Sequence, residues 1–481
     1  MTRTTVSRRV VARNVCFAAL TLIAGPRVAT AAETQAFVYA TDFSSGSIAA
    51  IAFGPPRTVT PNVATVSSDA VLRHFDGLLY VINRFGFDNI QVLDPSSGYT
   101  TVRQFSVGNG SNPHDIVFVS RTKAYVPRYG SPDLWIVNPQ TGAHTGTISL
   151  AQFADAAGIP EMDRAVVWAG RVFITVERLD RNNFFLPTDS SQVIVIDPAT
   201  DTIVDADPAA PGVQGILLPY QNPNTKLLVD TSGMLVVGCS GYFGIADGGV
   251  VRINPATLTV TAAEITEAAL GGDINDVALF DATRGYAVVS DASFNTLLKA
   301  YDRDAHSVTG TPFSTAGFYI ADTEINDRAE LWLCDRTPGN PGVRVFSAST
   351  GTQLTSSPLN TGLPPQNIAF DDATTVDVPL SGDSPAGTGL TALRVLPNPV
   401  SGVAEIRFHI GGPAAQGDGE LAVYDASGRL VASRRLARLA AGEHAVSWDG
   451  HIPAGPMVPA GLYFVRVRVG PHWVTARLVR L

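Results

Sequence analysis

A strand-and-turn unit recurs along most of this 481-residue chain. In its clearest copy, Tyr80–Asn83 is followed by Val92–Pro95. The Asp, Asn or Ser that ends the second segment returns at positions 94, 138, 197, 254, 302 and 347, at steps of 44 to 59 residues. The intervening sequence alternates apolar and polar residues between Gly, Asn, Pro and Asp turns, which is typical of strands. A repeat of this length built only from strands favours the blades of a β-propeller over a helical solenoid.

The two ends of this repeat region complement each other. It opens with Phe37–Asp42, which has the pattern of a second strand without a first strand. It closes with Gln366–Phe370, which has the pattern of a first strand alone. Pairing the two ends would complete one sheet and remove two exposed sheet edges. Counted with this composite unit, the repeats predict seven blades, each of four antiparallel strands.

The sequence on either side of the repeats predicts three further segments. Residues 1–31 combine four early Arg residues, an apolar stretch and the small residues Ala29–Ala31, as in a cleaved signal peptide. Residues 371–391 are rich in Asp, Ser, Gly, Thr and Pro, as in a linker. The predicted domains are therefore a signal peptide (1–31), a propeller (32–370), a linker (371–391) and a C-terminal domain (392–481).

The charge of the predicted mature chain is acidic and unevenly distributed. Loss of residues 1–31 leaves a net charge of −14, divided into +4 from residue 391 onward and −18 before it. An acidic body argues against nucleic acid as the main partner, because phosphate binding needs a positive field. No later apolar run is long enough to span a membrane. The two remaining cysteines, Cys239 and Cys334, are predicted to be buried free thiols.

The repeats resemble the bacterial YVTN-type β-propeller family. The match covers residues 37–370 and is carried by Tyr80–Asn83, Ile90–Pro95, Val107–Gly108, Pro113 and Ile116–Phe118. Such families share a fold more than a chemistry, so the resemblance implies architecture and little about function.

The C-terminal region resembles the Ig-like domain of flagellar hook-cap proteins and of type IX secretion sorting domains. The matching residues are Asn398–Pro399, Ile406–Phe408, Val423–Asp425, Gly428–Val431, Gly442, Trp448–Gly450 and Val458–Phe464. The predicted fold class is therefore all-β, a seven-bladed β-propeller followed by a small Ig-like β-sandwich. In families that use this domain for secretion, the resemblance implies that secretion machinery recognises it, exports the chain across the outer membrane and leaves it secreted or attached at the bacterial cell surface. The same fold also occurs in bacteria without that machinery.

Polar residues recur where each first strand begins, close to the mouth of the expected central channel. The aligned residues are Asn367, Ala70, Asp115, Asp163, Lys226, Asp276 and Asp322. Carboxylates in such a ring could bind a polar ligand or a cation such as calcium, with Asp115, Asp163, Asp276 and Asp322 as the ligands. In the alternative interpretation each Asp accepts hydrogen bonds from the preceding loop and caps its own blade.

The longest connections all join the second to the third strand, or the fourth strand to the next blade, and therefore emerge on one face. These are Ala151–Met162, Leu179–Ser191, Gly241–Gly249 and Thr261–Asp273. The residues His114, Arg164, Asn275, Arg84, Arg128, Arg178 and Arg336 are expected on the same side. Loops on a rigid scaffold often carry function, so this face is the predicted binding site. Phe184 and Phe185 are either an exposed anchor there or local packing of the longest loop.

Motifs of catalysis are mostly missing from the sequence. It contains no Gly-rich phosphate loop, no Gly-x-Ser-x-Gly turn and no His-Glu-x-x-His, and only His114 beside Asp115 suggests a base. The first hypothesis is thus a non-enzymatic, exported binding or scaffold module, without a cofactor, whose partner is an extracellular protein, polysaccharide or small ligand. The alternatives are a lactonase-like hydrolase with a metal at Asp115, Asp163, Asp276 and His114, or a structural surface-layer protein.

Overall fold

The computed structural model describes residues 33–371 and nine stretches of the C-terminal region. Those stretches are 390–396, 400, 402–410, 417–425, 430–440, 442–451, 457–459, 461–469 and 472–480. The predicted signal peptide and positions 372–389 of the predicted linker lie outside the described residues. Within the described residues, no helix is both long and apolar enough to cross a membrane.

Residues 35–370 form seven antiparallel sheets and one small two-stranded ribbon. Sheet 1 begins with β1 (Gln35–Thr41), β2 (Gly46–Ala52) and β3 (Val59–Val66). Sheet 2 contains β4 (Ala70–Phe75), β5 (Leu78–Asn83), β6 (Asn89–Asp94) and β7 (Thr100–Ser106). Sheet 3 contains β8 (Val117–Ser120), β9 (Lys123–Val126), β10 (Asp133–Asn138) and β11 (Ala143–Ser149).

Sheet 4 has five strands and carries the ribbon in one of its connections. In chain order these are β12 (Met162–Trp168), β13 (Arg171–Val176), the ribbon β14 (Leu179–Asp180) and β15 (Leu186–Pro187), then β16 (Gln192–Asp197), β17 (Thr202–Val204) and β18 (Ile216–Leu217). Sheet 5 contains β19 (Leu228–Val229), β20 (Leu235–Cys239), β21 (Gly249–Asn254) and β22 (Thr259–Thr266).

Sheet 6 contains β23 (Asp273–Leu279), β24 (Arg284–Ser290), β25 (Thr296–Asp302) and β26 (Ser307–Thr315). Sheet 7 contains β27 (Ile320–Ile325), β28 (Glu330–Asp335) and β29 (Gly342–Ser347), and β30 (Pro365–Phe370) returns to sheet 1. Short helices occur at Pro95–Ser97, Ala151–Phe153 and Glu267–Leu270.

The burial of each strand explains its sequence pattern. The second strand of sheet 2, β5, is almost wholly buried, because both of its faces pack on neighbouring sheets. Strands buried on both faces carry near-continuous apolar sequence. The last strand, β7, is mostly exposed and is accordingly polar.

Strand β30 pairs with β1 and completes sheet 1 from the other end of the repeat region. Val38 lies opposite Ile368, and Tyr39 lies opposite Asn367. This confirms the composite sheet predicted from the two ends of the repeats. The fourth strand expected in sheet 7 is reduced to two isolated bridges, Val343 to Leu359 and Phe346 to Gln353. Pro358 interrupts this segment and cannot donate a ladder hydrogen bond.

Each of the seven sheets shares an apolar core with the next, and sheet 7 shares one with sheet 1. The last of these cores contains Trp332 and Cys334 of sheet 7 together with Val38 and Ile368 of sheet 1. The result is a propeller-like ring of sheets. Both predicted thiols, Cys334 and Cys239, are free and buried, as expected from the sequence.

The described part of the C-terminal region is also built from strands. They are β31 (Leu390–Leu396), β32 (Ala404–Ile410), β33 (Gly417–Asp425), β34 (Leu430–Leu439), β35 (Gly442–Trp448), β36 (Gly461–Val469) and β37 (His472–Arg480). They form one sheet of three strands and one of four. Both sheets contribute to a single core that includes Phe408, Val423 and Val465, so this region is a β-sandwich.

Candidate functional site

The first strand of each sheet lines a central channel. Side chains from first strands that are not sequential neighbours meet there, since Lys226 of sheet 5 contacts Asp322 of sheet 7. The pairing of the first strand with the second strand identifies, in every sheet, the first-strand residue at the same position along the channel. We call the residues at this position the inner ring: Asn367, Val71, Asp115, Arg164, Lys226, Asp276 and Asp322.

Two members of the inner ring differ from the sequence alignment by one residue. Val71, not Ala70, occupies the position in sheet 2, where it lies opposite Ile82. In sheet 4 the pairing of Ala165 with Ile174 puts Arg164, and not Asp163, opposite Thr175 at this position. A one-residue difference in register changes which side chain faces the channel, and periodicity alone did not fix it.

Four inner-ring side chains accept a backbone hydrogen bond from the first strand of the next sheet. Asp276 Oδ2 accepts from the Thr323 amide at 2.8 Å, and Asp322 Oδ2 accepts from the Ile368 amide at 2.8 Å. The other two pairs are Asn367 with the amide of Leu72 at 2.8 Å and Asp115 with the amide of Ala165 at 3.1 Å. The alternative interpretation expected each Asp to cap its own blade, whereas these bonds join the first strands of neighbouring sheets.

Lys226 is the main cation of the channel. Its Nζ lies 3.0 Å from Asp276, 2.8 Å from Asp322 and 3.1 Å from Glu324. Burial alone would lower the pKa of Lys226, but the charges of Asp276 and Asp322 raise it well above its ordinary value. Burial raises the pKa of Asp276 to about 7. An ammonium group therefore occupies the centre of the carboxylate cluster.

The other carboxylates proposed as metal ligands also have partners within the protein. Arg73 lies 2.8 Å from Asp115, and His114 lies 2.7 Å from Asp163. Among the described residues, no group of three or more His, Cys, Asp and Glu side chains is arranged to hold a metal ion. The calcium and lactonase hypotheses require carboxylates that are free to ligate a metal, and this arrangement gives neither of them support.

His114 belongs to a buried network rather than to an open site. Its ring stacks on Tyr129 at a centroid distance of 4.0 Å, and Tyr129 donates a hydrogen bond to Glu177 at 2.9 Å. Burial, assisted by the charge of Arg84, lowers the pKa of His114 to about 4. The neutral ring therefore donates from Nδ1 to Asp163 and leaves Nε2 as a buried acceptor without a hydrogen-bond partner. Because Nε2 is sealed from solvent, the arrangement does not present a base to a substrate.

A cavity of about 100 Å³ opens at the channel mouth. Arg84, Arg164, Asp69 and Asn367 are among its lining residues. Arg164 donates a hydrogen bond to the His114 carbonyl oxygen and lies 3.5 Å from Asp163. Arg84 lies 3.4 Å from Asp69. Both cations and carboxylates thus line this mouth.

The other residues predicted on the loop-bearing side mostly make hydrogen bonds or stacking contacts within the protein. Asn275 donates to the Ser290 hydroxyl at 2.6 Å. Arg128 stacks on Trp135 and donates to the Val107 carbonyl. Arg336 donates to the carbonyl oxygens of residues 41, 364 and 365, where sheets 1 and 7 meet.

Two of the long connections of sheet 4 create a second, larger cavity of about 550 Å³. It is lined by residues 154–157 and by Arg178, Asp180, Asn182, Thr188 and Asp189. Arg178 is held within it by an ion pair to Asp189 at 2.8 Å. The predicted insertions thus form a concave surface on the loop-bearing face, which we define as the second-to-third-strand and sheet-to-sheet connections.

Phenylalanine rings distinguish the loop-bearing face from the rest of the surface. Eight are exposed in the part of the chain that the structure describes, and all eight lie in these connections. They are Phe43, Phe85, Phe87, Phe184, Phe185, Phe243, Phe294 and Phe318. Phe184 is 92% exposed, while Phe185 is about half exposed and lies 5.7 Å from the Arg181 guanidinium. Phe184 is therefore not packed on its sheet.

Sequence reasoning found only the Phe184–Phe185 pair among these eight. The signal was present for most of the others, which follow a buried strand within a turn that contains Gly, Ser, Asn or Asp: Phe43, Phe85, Phe87, Phe243 and Phe294. Phe318 instead follows the mostly exposed strand β26. The partners of the channel charges, Arg73, Tyr129, Glu177 and Glu324, were also missed. They come from different sheets, and nothing in the local sequence indicates that they meet.

Comparisons with known proteins agree with this fold. Residues 398–470 match the family model of the FlgD Ig-like domain. A comparison with curated proteins gave no significant match.

Among solved structures, PorZ, a surface component of the type IX secretion system of Porphyromonas gingivalis, is similar at 14% identity and a TM-score of 0.41. The match covers 91% of this chain and 64% of PorZ, so this chain spans less than two thirds of that protein. A putative 6-phosphogluconolactonase from Bacteroides fragilis is similar at 15% identity and a TM-score of 0.47, over 72% of this chain and all of that one. The β-propeller domain of Cps50 (Swd1) from Myceliophteria thermophila matches at 12% identity and a TM-score of 0.44, over 66% of this chain and 98% of that domain. These similarities concern the fold and carry no argument about function.

Proposed function

We propose that this protein is an exported binding module. Residues 32–370 form a seven-bladed propeller of the YVTN type, residues 371–391 form a linker, and residues 392–481 form an Ig-like domain for sorting or surface attachment. The propeller binds an extracellular partner through its loop-bearing face. The observation that carries this proposal is the confinement of all eight exposed phenylalanines of the described residues to that face.

These eight rings are exposed, so burial of apolar surface does not account for their positions. An exposed aromatic ring gains little from burial and raises the risk of aggregation, so a concentration of such rings on one face marks an interaction surface. Four of them, Phe43, Phe184, Phe185 and Phe294, have a backbone φ between 56° and 66°. A bulky residue in this left-handed region carries strain, and such strain concentrates at functional sites.

The arrangement of the sheets supports the propeller part of the proposal. Seven sheets follow one another in sequence, seven shared cores join them, and β30 with β1 joins the two ends. The rigid ring holds the loops in fixed relative positions, as a binding face requires. The channel carboxylates are already paired with Lys226, Arg73 and His114, which favours binding over metal-assisted hydrolysis.

The experiment is site-specific photo-crosslinking in the native bacterium, with benzoylphenylalanine in place of Phe85, Phe184 or Phe294. We expect covalent adducts from these positions, because the probe lies on the binding face. Val102 and Leu354 serve as controls, since both are exposed but lie in outer strand segments: Val102 in β7, and Leu354 in the reduced fourth strand of sheet 7, where its amide donates to the Val345 carbonyl of β29. Equal adduct formation from both sets of positions, or none from the loop-bearing face, would show that the face is not a binding surface.

The C-terminal part of the proposal needs its own test. A chain that ends at residue 389 should be secreted across the inner membrane but fail to reach the cell surface. Protease accessibility on intact cells measures this directly. Unchanged surface exposure of the shortened chain would rule out sorting by the Ig-like domain.

A further inference from the structure

We propose that Phe243, Ile245, Phe294 and Phe318, here called the aromatic patch, dock a protein segment whose apolar side chains are flanked by Lys or Arg. This inference rests on the proposed role of the loop-bearing face and names the chemistry of its partner. It concerns the side of the face formed by sheets 5, 6 and 7.

The patch is a contact cluster built from three separate connections. The ring of Phe318 lies 6.0 Å from Phe243 and 5.7 Å from Phe294. The exposed fractions of Phe243, Ile245, Phe294 and Phe318 are 60%, 55%, 58% and 52%. The Phe318 ring therefore lies between the other two rings, and all four side chains leave more than half of their surface exposed to solvent. Such grouped apolar residues are typical of the centre of a protein interface.

The backbone beneath Phe318 is held firmly. Gly317 has a φ of 131°, which favours glycine, and its carbonyl oxygen accepts hydrogen bonds from the hydroxyls of Thr296 and Thr315 at 2.6 and 2.9 Å. The Tyr319 amide donates to the Thr296 hydroxyl at 3.0 Å. The loop is thus fixed on both sides of an exposed ring.

The other two loops are fixed by carboxylates. Asp291 accepts from the amides of Ser293 and Asn295, both at 2.9 Å, and so holds the turn that presents Phe294. Asp273 accepts from the Gly244 amide at 3.0 Å, next to Phe243. Rings on ordered loops lose little conformational entropy on binding, which favours affinity.

The charge around the patch selects a cationic partner. Its three connections, residues 240–248, 291–295 and 316–319, contain two Asp and no Lys or Arg. Asp273 lies beneath Gly244 and is buried, which raises its pKa, so Asp247 and Asp291 supply the acidic rim. Hydrogen bonds from the Asn295 side chain and backbone keep the pKa of Asp291 below its ordinary value, so it is ionised at neutral pH. An apolar centre with an acidic rim complements an apolar segment flanked by basic residues.

The same carboxylates argue against a saccharide. Both oxygens of Asp273 accept from Gly244, and both oxygens of Asp291 accept from Ser293 or Asn295. Few acceptors remain for sugar hydroxyls. The rings of Phe243 and Phe294 are tilted by 47° and 61° to Phe318, so they form an uneven apolar surface and not a flat stacking platform.

The test uses a short amphipathic peptide made only of leucine and lysine, titrated into the mature full chain and followed by fluorescence anisotropy. Phe243→Ala with Phe318→Ala should weaken its binding by about tenfold or more, because the centre of the patch is removed. Val102→Ala with Leu354→Ala is the matched control, since it shortens two exposed apolar side chains, one in the outer strand β7 and one beside β29, away from the loop-bearing face. This control should change the affinity by less than about twofold. Circular dichroism should show that both variants remain folded.

A second peptide, in which glutamate replaces lysine, tests the charge. It should bind at least about tenfold more weakly, and added salt should weaken the lysine peptide. Equal binding of the two peptides, or equal loss in the patch and control variants, would overturn the inference. So would binding of cellohexaose at the patch with no binding of the lysine peptide. If any of these results is obtained while crosslinks from Phe184 persist, the proposed binding face is retained and only the proposed partner is wrong.

Discussion

The central channel and the loop-bearing face use polar and apolar residues in opposite ways. In the channel, charged side chains are buried, and Asp276, Asp322 and Lys226 all have protein partners. On the loop-bearing face, large aromatic side chains such as Phe184 and Phe294 are exposed. Charged clusters are usually the first place to look for function, and apolar side chains for stability. Here the charged side chains pair with one another across different sheets, and the aromatic rings stay exposed on the surface.

The physical reason lies in the cost of each arrangement. A buried charge is costly unless it is paired and hydrogen-bonded, so the channel charges are tolerated only as a complete network. An exposed aromatic ring carries little such cost and keeps its surface for binding. The comparison predicts large stability effects from substitutions in the channel and small ones on the face.

The largest effect is expected from Lys226→Met. This change leaves Asp276, Asp322 and Glu324 close together without their shared cation. Breaking a buried ion pair by removing one partner costs about 3–5 kcal/mol of unfolding free energy. Urea unfolding of the full chain at neutral pH, followed by tryptophan fluorescence, measures the loss.

Lys299→Met is the matched control, because the Lys299 ammonium donates to the Thr311 hydroxyl at an exposed position and its charge acts on the exposed carboxylate of Asp291, not on a buried cluster. It should change the unfolding free energy by less than about 0.5 kcal/mol. If both substitutions have the same small effect, the Lys226 network does not hold the ring together. The Lys226 ammonium would then not be the group that stabilises the buried carboxylates of the channel.

The contrast between these regions also shows what the sequence could predict. The recurring turn at Asp94 and its equivalents predicted where the strands lie. The sequence patterns around Phe37 and Ile368 predicted that the first and last strands of the repeat region pair. These features depend on local periodicity, which one sequence contains. The partnership of Lys226 with Asp322 joins residues 96 positions apart and depends on how sheets close into a ring. The one-residue difference in register before Ala165 is likewise invisible to periodicity.

The next largest expected effect is a loss of folding stability at acidic pH, caused by protonation of His114. Its pKa is about 4 in the folded protein and about 6.5 when unfolded, because burial disfavours the charged ring. Between these values the unfolded chain binds a proton that the folded chain does not. Stability is therefore fully present above about pH 6.5 and falls as the pH drops towards 4, by about 3 kcal/mol from this residue.

The measurement is urea unfolding of the wild-type protein and of His114→Gln at several pH values from 7 down to about 4. The glutamine variant cannot be protonated, so its stability should fall less steeply over this range. Parallel pH profiles for the two proteins would mean that His114 is not held neutral by the fold.

The smallest effect, and the one with the opposite sign, is expected on the loop-bearing face. Phe184 has a φ of 56° and is 92% exposed, so its ring stabilises little and its backbone is strained. Phe184→Gly should relieve this strain and leave the unfolding free energy unchanged or raised by up to about 1 kcal/mol. Phe85 is also exposed but is not among the described residues with positive φ, so Phe85→Gly should lower it by about 0.5–1 kcal/mol. Thermal unfolding of both variants compares them directly. If Phe184→Gly is as destabilising as Phe85→Gly, the ring contributes to folding, and its exposure no longer marks a site kept for binding.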